Sequence, residues 1–251
     1  MEKVKRILLI ILLCPISLFL LSFPSLAQDV VIASTSLTGA IARAATGKEV
    51  RVLAPSEMRH PPEHDLRPSD LLKFEGAHAV VYGGYEKMVS KLLETSKNKN
   101  ILAIQIETST SPENLIKQAR RISRILKTEK EEKAWEVRFL EKLKDLQKQL
   151  SPFSGRRAVV HKFAEPFAQW AGLSIVQVIN PGELTPKVVA EAVARKPELV
   201  VDIHHFPIAG LIADNAKCRS IQVINFPGVG HTKTLEDLFE YNSAQLGKTI
   251  Q

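Results

Sequence analysis

Eight short apolar runs, rich in β-branched residues, recur along the chain, and a segment with helical spacing follows each one. The runs are residues 30–35, 50–55, 77–84, 101–107, 156–161, 175–180, 199–203 and 220–226. Near-continuous apolar strands that alternate with helices are typical of parallel sheets covered on both faces. The pattern therefore predicts an α/β fold with four strand–helix units in each half of the chain.

The segment between the two halves, Thr128 to Leu150, has the pattern of one long amphipathic helix. Its apolar positions fall on one face: Trp135, Phe139, Leu143, Leu146 and Leu150. Thr128 and Glu131 have the spacing of a capping box, and Ser151-Pro152 ends the segment. At 1.5 Å per residue the helix is about 34 Å long, close to the width of a small domain. We therefore expect two lobes of parallel sheet, flanked by helices and joined by this helix.

The first 27 residues have the pattern of a secretory signal peptide. Basic residues near the start precede an apolar run, residues 7–21, and Ser25-Leu26-Ala27 resembles a cleavage site. Pro15 interrupts the apolar run, which is short for a membrane span. We therefore predict cleavage near Ala27 and secretion of the remaining chain.

Removal of this leader divides the remaining chain into three predicted parts. They are an N-terminal lobe (28–127), a linking helix (128–150) and a C-terminal lobe (151–251). Cys14 leaves with the leader, so that Cys218 is the one cysteine left and an intramolecular disulfide is excluded.

The charge of the chain is mildly basic, with a formal net value of +7. Lysine and arginine are spread among glutamates along the helices, and no basic cluster is interleaved with aromatic residues. Binding to nucleic acid is therefore not expected. After cleavage of the leader we expect a soluble monomer, because Cys14 lacks the small residues that normally precede a lipidated cysteine.

Histidines collect where the predicted strands end. Six of the seven lie there: His60, His64, His161, His204, His205 and His231. Ligands of open α/β sheets bind beyond the carboxyl ends of the strands, and neutral imidazole binds Zn²⁺ and related divalent metals well. His78, at the start of a strand, has the position of a structural residue. The histidines therefore predict a metal site between the lobes.

Three segments resemble the periplasmic metal-binding proteins that deliver zinc or manganese to ABC importers (cluster A-I, TroA/ZnuA-like). They are VVIASTSLTGAIARAATG (30–47), EHDLRPSDLLKFEGAHAVVYGG (63–84) and HKFAEPFAQWAGL (161–173). The resemblance implies a two-lobed fold with one long joining helix, capture of a divalent metal, and delivery to a membrane permease. It identifies His161 as a ligand, because that histidine falls in the register of the family motif.

The other family ligands have changed in this chain. His60 and His64 flank the position of the first ligand, and either one can serve. The family's second histidine is absent, and Asn225 replaces its final carboxylate. His205, or else its neighbour His204, is proposed to compensate, with Asp202 orienting an imidazole. The sequence leaves open whether His231 or Asn225 also contributes to the metal site.

The first hypothesis is accordingly a non-enzymatic solute-binding protein for a divalent transition metal. Zn²⁺ is preferred because the predicted site is rich in imidazole, while Mn²⁺ and other transition metals remain alternatives. The second hypothesis is a relative that binds an organic ligand or a protein without metal. The third is a secreted metal-dependent hydrolase with Glu63 or Glu165 as its base.

Overall fold

The structure is a computed structural model that describes residues 30–56, 58 and 60–249. Within those ranges the chain forms two four-stranded parallel sheets flanked by helices. The predicted α/β architecture is therefore confirmed. The predicted leader peptide, residues 1–27, lies outside the described residues. No helix in the described ranges is both long enough and apolar enough to cross a membrane.

The N-terminal lobe, defined as β1 to α4, contains the first sheet. Its strands lie in the order β2-β1-β3-β4, and every neighbouring pair is parallel. The elements are β1 (Val31–Ala33), α1 (Ser36–Thr46), β2 (Arg51–Val52), a 3-10 turn (Pro61–Glu63), α2 (Pro68–Glu75), β3 (Ala79–Tyr82), α3 (Lys87–Thr95), β4 (Leu102–Gln105) and α4 (Pro112–Leu126). All four strands lie within the runs predicted from the sequence.

The C-terminal lobe, defined as β5 to α9, repeats this topology with the strand order β6-β5-β7-β8. The elements are β5 (Arg157–His161), a 3-10 turn (Lys162–Ala164), α6 (Glu165–Trp170), β6 (Ser174–Ile179), α7 (Pro186–Ala194), β7 (Leu199–Ile203), α8 (Gly210–Ala216), β8 (Arg219–Val223), β9 (Pro227–Gly230) and α9 (Leu235–Gly247). The sequence pattern does not predict strand β9, because its proline and two glycines are poor strand formers.

The strand order fixes where a ligand can bind. In each sheet the chain first moves to one side, from β1 to β2 or from β5 to β6, and then crosses to the other side. The loops that follow the two central strands therefore diverge and leave a crevice at the carboxyl edge of the sheet. In the C-terminal sheet the two central strands are β5 and β7, which end at His161 and Ile203.

The long helix α5 runs from Glu129 to Leu150 and precedes a 3-10 turn, Ser151–Phe153. All five residues of its predicted apolar stripe are buried. The predicted capping box is wrong, because the side chain of Thr128 makes no capping hydrogen bond. Its hydroxyl instead donates to the carbonyl oxygen of Ala45 at 2.8 Å. This bond ties the start of α5 to the end of α1.

One hydrophobic core runs through both lobes. Helix α5 packs against α1 and α4 from the N-terminal lobe and against α9 from the C-terminal lobe, and α1 also contacts α9. Aromatic rings continue this core from helix to helix, with centroid distances of 4.9 Å for Trp135–Phe139, 5.6 Å for Phe139–Phe239 and 4.8 Å for Phe239–Trp170. The lobes are therefore joined by packed helices as well as by the length of α5.

Candidate metal site between the lobes

A cavity of about 320 Å³, here named the interlobe cavity, lies at the boundary of the two lobes. The N-terminal lobe contributes Leu37, His60, Pro61, Pro62, Tyr85 and Thr108, and the C-terminal lobe contributes Phe163, Ile203, His205, Phe206, Asn225 and Phe226. Most of these side chains are apolar, and the polar groups are few. The interlobe cavity therefore has the composition of a small-ligand site.

His60 brings an imidazole to the cavity from the N-terminal lobe. It immediately precedes the 3-10 turn Pro61–Glu63, whose two prolines restrict the backbone of the loop. The edge of its ring meets the ring of Phe206 from the other lobe, with 5.3 Å between centroids. His60 therefore lies at the contact between the two lobes, as predicted from its place after the second strand.

His205 brings an imidazole from the C-terminal lobe. The residue is only 8% exposed, and neither ring nitrogen has a hydrogen-bond partner among the described residues. Burial, with the added effect of His204 and His60 nearby, lowers the pKa of His205 to about 4. The ring is therefore neutral at physiological pH, so that one nitrogen carries a lone pair that can bind a metal.

Asp202 holds the loop that carries His205. Its carboxylate accepts hydrogen bonds from the backbone N–H groups of Ile203 at 2.8 Å, Ile208 at 3.0 Å and Ala209 at 2.7 Å. The orienting role of Asp202 stays a prediction, because its hydrogen bonds go to the backbone and not to the ring of His205. This carboxylate fixes the backbone on both sides of the two histidines, and it positions His205 through the loop.

His161 ends the central strand β5 and is fully buried. Its Nδ1 accepts a hydrogen bond from the N–H of Phe163 at 3.1 Å, while Nε2 has no partner among the described residues. Burial lowers the pKa of His161, against an opposing effect of the Asp202 carboxylate. In the neutral ring the bond to Phe163 places the proton on Nε2. Metal binding through Nε2 therefore requires the proton to move to Nδ1 and the Phe163 bond to break.

Asn225 adds an oxygen to the cavity. It follows β8, the strand beside β7, and its Oδ1 is buried without a partner in the described part of the chain. The sequence shows this residue only as the replacement for a carboxylate. An amide oxygen is neutral, so it can bind a metal or accept a hydrogen bond without adding negative charge.

The two remaining predicted ligands lie outside the interlobe cavity. His64 is buried, and its Nε2 lies 3.0 Å from Oδ2 of Asp70. Asp70 also accepts from the N–H of Arg67 and pairs with Lys73, so this histidine belongs to a hydrogen-bonded cluster at the start of α2. His204 is exposed, with its ring centroid 5.4 Å from that of His205.

Three further residues singled out in the sequence also lie elsewhere. His231 has a left-handed backbone (φ 64°) and lines a second cavity, beside Arg43 and Lys233. Glu63 is exposed, and Glu165 pairs with Lys162. Neither glutamate lines the interlobe cavity. The hydrolase hypothesis, which takes one of these glutamates as its base, therefore gains no support from the cavity lining.

The donors at the interlobe cavity are few. Across residues 30–56, 58 and 60–249, no group of three His, Cys, Asp or Glu side chains is arranged to hold a metal ion. Two imidazoles, one amide and two hydroxyl-bearing residues, Tyr85 and Thr108, line the cavity. His161 lies beside it, since the lining residue Phe163 packs on His161 with 5.3 Å between ring centroids. A metal bound here needs donors beyond the two imidazoles.

Comparison with known proteins gives matches among solved structures. A periplasmic metal binding protein from Candidatus Liberibacter asiaticus is 15% identical, with a TM-score of 0.69, over 89% of this chain and 100% of that one. Its Cd-bound form gives 14% identity and a TM-score of 0.70 over the same shares. The SBP FpvC from Pseudomonas aeruginosa, in complex with Mn²⁺, gives 14% identity and a TM-score of 0.66 over 89% of this chain and 97% of that one.

No protein-family model and no curated protein matches the sequence. At 14% to 15% identity the matches to solved structures concern the fold alone. They extend over both lobes and the joining helix, since they cover almost nine-tenths of this chain. The chain therefore has the two-lobed fold of periplasmic metal-binding proteins, as its sequence motifs suggested.

Proposed function

We propose that this protein is an extracytoplasmic solute-binding protein that captures a divalent transition metal and passes it to the permease of an ABC importer. The observation that carries the proposal is the interlobe cavity, in which His60 from one lobe and His205 from the other supply imidazoles. Both nitrogens of His205 are buried without a partner among the described residues, as expected for a side chain that serves as a ligand. The proposal involves no covalent chemistry.

The proposed metal is Zn²⁺. Imidazole suits Zn²⁺, Ni²⁺, Cu²⁺ and Fe²⁺ better than it suits Mg²⁺ or Ca²⁺, which prefer oxygen. The solved structures of similar fold are described with Mn, Cd and Ni, so a divalent transition metal is the supported class. Zn²⁺ is our specific choice within that class, and Mn²⁺ or Ni²⁺ is the alternative.

We further propose His60 and His205 as the metal ligands, with His161 beside them as ligand or hydrogen-bond donor. The proposal also keeps a monomer with three parts (28–127, 128–150 and 151–251) after cleavage near Ala27. The periplasmic location is supported by the description of the solved structures as periplasmic.

The second hypothesis, an organic ligand, gains support from the apolar walls of the cavity. It is compatible with metal capture if the organic ligand and the metal bind together.

The test is a calorimetric titration of Zn²⁺, Mn²⁺ and Ni²⁺ into metal-free protein purified without a histidine tag. We expect one site per chain, and we expect the double variant His60→Ala, His205→Ala to lose at least tenfold in affinity, or about 1.4 kcal/mol. The matched control is His231→Asn, which removes an exposed histidine outside the cavity and tolerates the left-handed backbone. Equal affinity in the double variant and the wild type would remove the cavity from the proposal.

A further inference from the structure

The interlobe cavity is electrically neutral. None of the residues that the structure places in its lining is an Asp, Glu, Lys or Arg. A bare dication in this cavity would therefore find no carboxylate in the lining. Burial of an uncompensated charge away from water is strongly unfavourable.

The cavity is also larger than an ion needs. Its volume of about 320 Å³ falls at the lower end of the range for small-molecule sites, roughly 300–1,000 Å³. Four aromatic rings, those of Tyr85, Phe163, Phe206 and Phe226, form much of its wall. Such walls favour contact with the carbon atoms of an organic molecule.

The number of donors leads to the same conclusion. His60, His205 and Asn225 supply two imidazole nitrogens and one amide oxygen, and the described residues contain no cluster of three His, Cys, Asp or Glu. Zn²⁺ takes at least four donors and octahedral ions such as Mn²⁺ take six, so one to three donors must come from outside these three side chains. An external ligand with two negative charges and three donor atoms would complete the coordination and neutralise the metal.

We propose that the cargo of this cavity is a neutral complex of a divalent transition metal with a small dianionic chelator, held through the metal by His60, His205 and Asn225. This inference rests on the proposed function and specifies its substrate class. The carboxylates of the chelator supply the charge that the protein lacks, and its carbon atoms fill the space between the rings. The bare ion is then a poor ligand for the same site.

The experiment compares three ligands by calorimetry on tag-free, metal-free protein. They are aquated Zn²⁺, the preformed 1:1 complex of Zn²⁺ with iminodiacetate, and iminodiacetate alone. Iminodiacetate is a dianion with three donors, so that the complex is neutral and keeps free coordination positions. We expect the complex to bind at one site at least tenfold more tightly than Zn²⁺, and iminodiacetate alone not to bind.

Asn225→Asp provides the matched variant, since it has the same shape and adds one negative charge at the unpartnered oxygen. We expect it to raise the affinity for bare Zn²⁺ at least tenfold and to reduce the preference for the complex. The double variant His60→Ala, His205→Ala should no longer bind the complex. This result would show that the complex binds in the cavity and not at histidines on the surface. If the aspartate variant does not fold, the three titrations of the wild type still decide whether the complex binds more tightly than the bare ion.

The outcomes separate this inference from the proposed function. Wild-type protein that binds bare Zn²⁺ as tightly as the complex would overturn the inference and leave metal capture standing. No binding of either metal form would overturn both. Binding of iminodiacetate alone as tightly as the complex, an unchanged preference in Asn225→Asp, or retention of the complex by the double histidine variant would each overturn the inference.

Discussion

The ring of His205 is buried with both nitrogens unpartnered among the described residues, and this has a direct consequence for stability. An unfolded chain takes up a proton on this side chain near pH 6.5, whereas the folded protein does so only at about pH 4. Between these values the unfolded state binds more protons. The free energy of unfolding therefore falls as the pH is lowered through this interval.

The first prediction follows from the difference between the pKa values of His205 in the folded and unfolded states. In metal-free protein, His205→Gln should reduce the loss of unfolding free energy between pH 7 and pH 4 by roughly 3 kcal/mol, since each pKa unit is worth about 1.4 kcal/mol. Urea denaturation followed by tryptophan fluorescence, with chelator present, measures the loss. His231→Asn, at an exposed position, should keep the full loss. An identical pH dependence in His205→Gln and the wild type would contradict the buried, neutral imidazole.

The second prediction concerns the role of His161, whose Nε2 carries the proton while Nδ1 accepts from Phe163. If this ring donates a hydrogen bond to the cargo, His161→Gln should keep metal affinity within about threefold of the wild type, because the amide N–H₂ also donates. His161→Ala should lose at least tenfold. If the ring is a metal ligand, both variants lose equally, since glutamine is a poor ligand for Zn²⁺. Calorimetric titration of the two variants distinguishes the roles.

For single residues, the sequence predicts where a side chain lies in the fold better than it predicts which groups that side chain contacts. His161 and His205 can be found from the sequence because they follow strands whose carboxyl ends share one edge of a sheet. The engagement of His64 with Asp70 cannot, since it depends on how the 3-10 turn places the two side chains. Asn225 is undecided from the sequence, because an amide has no signature until its unpartnered oxygen is seen beside the cavity.

Helix α5 shows what hydrophobic spacing can and cannot predict. Its apolar stripe is predicted in full, because the period depends only on helix geometry. The spacing gives no sign of two glutamates on the buried side. Glu136 is paired with Arg120 at 2.7 Å, whereas Oε1 of Glu132 has no partner among the described residues. Burial, and then Glu136, raises the pKa of Glu132.

The third prediction is that Glu132→Gln stabilises the protein at neutral pH. A raised pKa in the folded state means that the ionised carboxylate costs stability, and the cost grows as the pH rises through the folded pKa. The amide has the same shape without the charge, so we expect a gain of roughly 1 kcal/mol or more in unfolding free energy at pH 8. The gain should shrink as the pH falls through the raised folded pKa and should be lost below the unfolded value of 4.5. Glu141→Gln, on an exposed position of α5, should change stability by less than about 0.5 kcal/mol. A neutral or destabilising Glu132→Gln would contradict the assignment.

At the scale of the whole molecule, the shared core limits how far the lobes can move. Periodicity predicts α5 as the bridge, but it cannot show that α1 and α9 also pack across the boundary, since contacts between distant segments leave no local pattern. Closure by a hinge would have to separate rings such as Phe139 and Phe239, which lie 5.6 Å apart.

The fourth prediction is therefore a small conformational change on ligand binding. We expect the radius of gyration to change by less than about 1 Å when the cargo is added, as in other preorganised binding proteins. Small-angle X-ray scattering with and without ligand, on the same protein preparation, measures this change. A compaction of several ångströms would show that the interlobe core opens.

The packing of α9 against α1 also constrains how the chain reaches its folded state. These helices lie about two hundred residues apart, from Ser36 at the start of α1 to Gly247 at the end of α9. Until α9 is synthesised, apolar residues of α5 such as Phe139 lack part of their cover, since Phe139 packs on Phe239 of α9. We therefore expect a growing chain to complete its core only after its last helix is made. A chain truncated before Leu235 is expected to aggregate, whereas removal of residues beyond Gly247 is expected to leave it soluble.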